Sequence, residues 1–300
     1  MSIAANRIRD SIHGFITFSD EEKEIINWNE FQRLRFIKQL ALTYNVYPGA
    51  MHTRFEHSLG VMEVATRIFN RLLSKQSEII NKVLGSVGLS SDQARKILRL
   101  AALLHDIGHL PFSHGGEAIL PEGKSHEDVT IEIIEHLNDK LHKSYSEEEI
   151  NICIQLISGE VIPEINFLKD IISGQVDADR IDYLLRDSYH CGVGYGHFDY
   201  HRLIEELVVI EDFAGGLELA IERGGIHSLE ALILARYYMF TQVFCHRTRR
   251  IYDIYLKEFM EKCEFNLSSL TKVLEIDDID VINEIRTTIN QEQNGQLPHG

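Results

Sequence analysis

Apolar residues recur at helical spacing along most of the chain. The spacing predicts a helix over 31–44 (FQRLRFIKQLALTY), a loop over 47–55 and a long helix over 57–76. Ser90-Ser91-Asp92 caps a run over 93–109 whose apolar positions extend nearly all round, which places that helix in the middle of the core. Further helices are expected at 126–141, 146–158, 165–173 and 175–190, and a long one at 227–263. Two segments break the period. IHGFITFSDEEKEIIN reads as a short strand followed by a helix starting at Ser19-Asp20, and 207–225 reads as a hairpin about Ala214-Gly215-Gly216. After about residue 264 the pattern weakens, and the polar end NQEQNGQLPHG reads as frayed. The expected fold class is mostly α, a helical bundle with minor β-hairpin elements. With no repeat, low-complexity tract or linker, 1–300 reads as one domain.

Composition narrows the function classes. A 300-residue chain with 44% hydrophobic and 25% charged residues can bury a substantial core. Its apolar stretches, such as 98–104 and 229–235, are too short to span a bilayer, and the first residues lack a signal-peptide pattern. Cys153, Cys191, Cys245 and Cys263 lie far apart and form no CxxC pair, which fits reduced cysteines in a cytoplasmic protein. A formal charge of −16 argues against a broad nucleic-acid-binding face. A small anionic ligand is still compatible, because it needs only a few local cations and a bound metal.

The candidate chemistry centres on His105-Asp106, at the end of the most apolar helix. Chance alone supplies roughly one His-Asp pair in a chain of this composition, so position matters more than the match. Burying two adjacent polar residues there is costly without a partner. Imidazole and carboxylate suit a divalent transition metal, while a hydrogen-bonded pair at a helix end is the plainer alternative. His57 stands in RFEHSLGV, and His109 and His114 follow in GHLPFSH. In VDADRIDYLLRD, Asp179, Tyr183 and Asp187 share one helix face opposite Ile181, Leu184 and Leu185. That stripe is either a polar site or a solvated face.

Taken in order, RFEHSLGV, LLHDIGHLPFSH and VDADRIDYLLRD resemble the His…His-Asp…Asp signature of HD-domain phosphohydrolases. More narrowly, EFQRLRFIKQL, YPGAMHTRFEHSLGV and HFDYHRLI resemble the branch of deoxynucleotide triphosphohydrolases that contain an HD domain. The likeness covers about residues 5–260. It implies an HD-type helical bundle with a metal-binding core at about 50–200 and a C-terminal helical extension at about 226–290.

The resemblance implies His57, His105, Asp106 and Asp179 as ligands of Fe, Mn, Zn or Ni, with Mg accompanying the nucleotide. It assigns His126 to protonation of the leaving oxygen and places His109, His114 and Glu117 beside it. Arg54, Arg180 and Arg236 match phosphate-gripping positions, Tyr183 and Asp187 close around the sugar, and Gln39 and Leu40 face the 3′-hydroxyl and sugar or base. The implied reaction is water attack at the α-phosphorus of a dNTP, releasing deoxynucleoside and triphosphate. A nucleotide activator and homo-oligomerisation are implied with it, and no membrane association.

Several positions depart from the family pattern. Asn27-Trp28-Asn29 replaces an Asp-Ser/Thr-Pro turn, although Gln32 and Arg35 are retained. Phe244 replaces a base-facing tyrosine, Arg180 a lysine and Ala41 a glycine. Another HD phosphohydrolase (a nucleotide phosphatase, a cyclic-nucleotide phosphodiesterase or a single-strand nuclease) and a non-catalytic nucleotide sensor are the competing readings.

Overall fold

In a computed structural model of the chain, the structure describes residues 6–212, 215–262 and 270–293. Two antiparallel strands open it, β1 (Asn6–Asp10) and β2 (Gly14–Phe18), paired from Asn6↔Phe18 to Asp10↔Gly14. Then follow α1 (Asp20–Ile26) and α2 (Asn29–Gln32), α3 (Arg54–Ser86), α4 (Ser91–Leu104), α5 (His126–His136), α6 (Asn138–Leu141), α7 (Glu147–Ser158), α8 (Asn166–Ser173), α9 (Ala178–Cys191) and α10 (Tyr200–Glu205). A second hairpin, β3 (Leu207–Glu211) and β4 (Leu217–Ile221), precedes α11 (Ile226–Met239), α12 (Arg247–Lys262), α13 (Leu270–Glu275) and α14 (Asp278–Gln293). Among the described residues no helix is long and apolar enough to cross a membrane. The Cys153, Cys191 and Cys245 thiols are free, and Cys263 lies outside the described residues.

Capping fixes several starts as expected. Ser19, Ser90, Ser125 and Ser146 each accept the third residue's amide while that residue's side chain bonds back, closing four capping boxes. Helix α4 is buried on nearly every side, from Ala94 through Leu104, and packs against α3, which also packs against α9. The candidate metal ligands lie on α3 and α9 and in the turn directly after α4.

Helix boundaries differ from the periodicity where tertiary partners take over the backbone. The helix expected over 31–44 stops at Gln32. A 3-10 turn (Arg33–Phe36), an extended Ile37, a bridge between Lys38 and Thr53 and another 3-10 turn (Ala41–Asn45) follow. Its apolar residues Phe31, Leu34 and Ile37 are buried all the same, so the spacing reported burial rather than helix. Helix α3 runs past 76, but Gln76 leaves helical geometry (φ −135°, ψ 41°). Its side-chain amide bonds Val209 like a strand neighbour, donating to the carbonyl (2.9 Å) and accepting from the amide (2.7 Å).

Helix α4 ends at Leu104, so His105 to His109 form a turn rather than a last helical segment. The run expected over 126–141 is split at Leu137. The long helix expected over 227–263 is α11 and α12, separated by a π-helical turn at Phe240–Phe244 and a break at Cys245-His246. The weak pattern after 264 conceals α13 and α14, while the frayed end expected at 290–300 lies, beyond Gln293, outside the described residues.

Candidate metal centre and adjoining pocket

Arg54 and His57 occupy the first turn of α3, His105 and Asp106 follow the last turn of α4, and Asp179 sits in the first turn of α9. The packing of three helix ends therefore gathers residues more than a hundred positions apart. The nitrogen Nε2 of His57 lies 3.0 Å from Asp179 Oδ1 and 3.4 Å from Asp106 Oδ2. That of His105 lies 3.4 Å from Asp106 Oδ1 and 4.0 Å from Asp179 Oδ1. Ligand atoms of His57, His105 and Asp106 all fall within 4.8 Å of one another; Asp179 joins on its side-chain face, 38% exposed.

The other ring nitrogens fix the chemistry of this set. His57 Nδ1 donates to Asp182 Oδ2 (2.8 Å) and His105 Nδ1 donates to the Ala102 carbonyl (2.8 Å), since neither partner is a donor. Both Nε2 atoms are buried and lack a hydrogen-bond partner, yet they face carboxylates. Two imidazole lone pairs opposed to anionic oxygens repel unless a cation lies between them. Burial opposes charging of His57, but the adjacent carboxylates of Asp179 and Asp182 outweigh it and raise its pKa to about 10. A positive charge is wanted at that point, and the donor set fits a divalent metal with a carboxylate behind its histidine ligand.

Behind His57 lies a buried ionic network that the sequence reading missed. Asp182 accepts from His57, from His13 Nε2 (2.6 Å) and from Arg186 Nε (2.8 Å) and Nη2 (2.9 Å). Arg186 Nη1 also donates to Asp10 Oδ2 (2.8 Å). The first hairpin thus reaches the metal centre through Asp10 and His13. Gly60 makes room: a Cβ there would collide with Asp182 Oδ1 and Arg186 Nη2. The available signal was Asp182 and Arg186, an i,i+4 charged pair among the apolar residues of α9.

On the other side, Arg54 Nη1 donates to Asp106 Oδ2 (2.5 Å) and Nε to Ser113 Oγ (2.9 Å). Burial works against ionised Asp106, but Arg54 and then His105 and His109 hold its carboxyl well below the usual range. His109 Nε2 lies 3.3 Å from Asp106 Oδ1, and burial together with Arg54 keeps the ring neutral. It stacks on His126 at 3.9 Å between ring centroids. His126 Nδ1 meets Glu117 Oε1 at 2.6 Å, and the more exposed His114 meets the same oxygen at 2.9 Å. Burial opposes protonation of His126, but the Glu117 hydrogen bond and Asp106 charge raise its pKa; burial is likewise outweighed at Glu117, which stays ionised. The four predicted residues beside the metal ligands thus form one cluster.

A cavity of about 360 Å³ opens beside Asp179, lined by Gln39, Leu40, Arg54, His114, Tyr183, Asp187 and Arg236. The predicted stripe of α9 faces this cavity. Phe240, Phe244 and Arg249 complete it, and sequence reading had not placed Phe240 or Arg249 there. Asp187 is held by His52 Nε2 (2.7 Å), a loop histidine with no periodic signal. Arg180 does not join the lining: it donates to the Gly174 carbonyl and to Asp177 Oδ2 (3.0 Å). A larger cleft of about 550 Å³ between β2 and α4 holds no candidate metal cluster among the described residues, and its cations Arg95, Lys96 and Arg99 are paired with carboxylates.

Comparison with known proteins bears on the same residues. The HD domain model matches residues 54–187 and the HD associated region matches 198–297. The chain is 42% identical over 285 residues to an uncharacterized protein of Methanocaldococcus jannaschii, covering 94% of this chain and 55% of that protein. It is 33% identical over 269 residues to the deoxynucleoside triphosphate triphosphohydrolase SAMHD1 homolog of Dictyostelium discoideum, covering 86% and 49%. A crystal structure of a phosphohydrolase from Bacteroides thetaiotaomicron superposes with a TM-score of 0.80 at 31% identity, covering 94% of this chain and 72% of that one. The chain spans about half the length of the curated relatives it matches.

Proposed function

The chain belongs to the HD-domain phosphohydrolase superfamily, in the branch related to the dNTP triphosphohydrolases, and we propose that it hydrolyses dNTPs to deoxynucleoside and triphosphate. The carrying observation is the cavity that opens from the metal-ligand set, with guanidinium groups at its wall and a tyrosine-aspartate pair along it.

In this reading His57, His105, Asp106 and Asp179 hold Fe, Mn, Zn or Ni. Such an ion supplies Lewis acidity at a phosphate oxygen and acidifies a water molecule. Arg54 and Arg236 bind phosphate oxygens through forked donors, and Arg180 joins them on exchanging Asp177 for the ligand. Tyr183 and Asp187, the latter oriented by His52, contact the sugar opposite Gln39 and Leu40. The α-phosphorus gains the water oxygen and loses the 5′-oxygen of the deoxynucleoside. His126, kept protonated by Glu117, donates a proton to that leaving oxygen; neutral, buried His109 supports its ring, and His114 shares Glu117. The single domain over 1–300, cytoplasmic location, a nucleotide activator and self-association belong to the same proposal. Exposed Ile233, Leu234, Tyr237 and Phe240 on and just after α11 support self-association.

The test is incubation of metal-analysed protein with each dNTP and NTP, alone and mixed, with products identified by mass spectrometry. Deoxynucleoside plus tripolyphosphate, lost in His105→Ala and Asp106→Ala, is the expected result. Orthophosphate or pyrophosphate would mark a phosphatase, and a monophosphate product a diesterase. No turnover with loaded metal and an activator panel would overturn the enzymatic reading.

A further inference from the structure

The C-terminal helices reach the pocket through a buried carboxylate that the proposed reaction does not use. Asp278, the first residue of α14, is only 5% exposed. Its Oδ2 accepts the Lys38 amide at 2.9 Å and its Oδ1 accepts the Phe112 amide at 2.6 Å. One amide immediately precedes Gln39 and Leu40; the other immediately precedes Ser113 and His114. Both loops line or brace the cavity. Arg33 ties the neighbouring segment to the metal-site turn, donating to Ile276 O (3.3 Å), Ile107 O (3.0 Å) and His109 O (2.8 Å).

These loops do not hold their shape unaided. Among the described residues, the non-glycine positions with positive φ are Ala41 (48°), Phe112 (60°) and Ser113 (56°), all within three residues of the two amides. Side chains rarely adopt that geometry unless surroundings impose it. The surroundings are C-terminal: Ala41 and Phe112 pack with Leu256 and Met260 of α12 and Val281 of α14 in a separate apolar cluster. Ser113 Oγ then donates to the Lys38 carbonyl (2.7 Å) and accepts from Arg54, joining the two loops to the arginine that holds Asp106.

We propose that Asp278 is a positioning residue that clamps the Lys38–Leu40 and Phe112–His114 loops, so that the pocket is assembled only when the C-terminal helices are docked. The activity readout rests on the phosphohydrolase reading; the structural readout does not.

The experiment compares the full chain with Asp278→Asn and Asp277→Ala. Asparagine keeps one acceptor but turns a donor toward the second amide. Asp277 accepts the Ile279 and Asp280 amides and so caps the same helix without touching either loop. Hydrogen exchange in peptides covering 37–41 and 110–117 should quicken about tenfold in Asp278→Asn, as expected for a lost hydrogen bond to a charged group, and stay unchanged in Asp277→Ala. On the preferred nucleotide, Asp278→Asn should lower kcat about tenfold at unchanged metal content, while Asp277→Ala keeps kcat despite a lower Tm. Unchanged exchange in Asp278→Asn, or equal kcat losses in both variants, would overturn the proposal. If the asparagine chain does not fold, Asp278→Glu, with its acceptors one methylene farther out, is judged on the same peptides. If the wild type turns over no nucleotide, the exchange comparison still decides the clamp, and only the enzymatic reading fails.

Discussion

Replacing Asp182 by asparagine tests whether the buried network behind His57 serves the metal. The carboxylate accepts four contacts at 2.6–2.9 Å from His57, His13 and both the Nε and Nη2 of Arg186, with no exposed surface. An amide offers one acceptor oxygen and turns an NH₂ toward donors, leaving Arg186 with Asp10 alone for charge balance. Breaking a buried pair in this way costs about 3–5 kcal/mol. Loss of the partner behind a ligating histidine lowers metal affinity roughly 10–100-fold. Asp10→Asn is the control, because it also strips a partner from Arg186 but leaves the His57 bond intact. Chelator-competition titration and thermal melts of the three proteins separate the two effects. Both variants should melt lower, but only Asp182→Asn should bind Mn²⁺ or Zn²⁺ more weakly. Wild-type metal affinity in Asp182→Asn would refute the reasoning.

Two further outcomes follow from the geometry. Burial disfavours charged His126, yet the Glu117 hydrogen bond raises its pKa, so its protonated form persists upward through the ordinary histidine range. The stability of that charged pair is present below the unfolded histidine pKa and lost as pH rises through the raised value. Glu117→Gln should therefore move the alkaline limb of the kcat–pH profile to lower pH; an unmoved limb would remove His126 as the proton donor. Gly60→Ala puts a methyl group into Asp182 and Arg186, and overpacking at such a site costs about 1–3 kcal/mol. A lower Tm with reduced bound metal, read by calorimetry and elemental analysis, is expected, and an unchanged melt would show that the network yields without cost.

The sequence alone determined the helical character, the central place of α4, the hairpin near 207–225 and the shared face of Asp179, Tyr183 and Asp187, because periodicity reports which face is buried; of the first hairpin it showed one strand, and β1 went unread. Segment order around His57, His105-Asp106 and Asp179 was enough to identify the family, and the three lie together at helix ends. What it left open depends on partners distant in the chain. Local spacing cannot reveal that Arg33 seeks the Ile107 and His109 carbonyls, that Gln76 completes a strand, or that a loop histidine, His52, steadies Asp187. The same is true of Arg180, which looks free on paper but is bound to Asp177 and Gly174. Side-chain chemistry is written residue by residue, whereas the direction in which each donor points is settled only when distant acceptors arrive. Tertiary structure therefore decided which polar groups gather at the candidate metal centre, which are braces, and that weakly patterned α14 holds two loops beside the pocket.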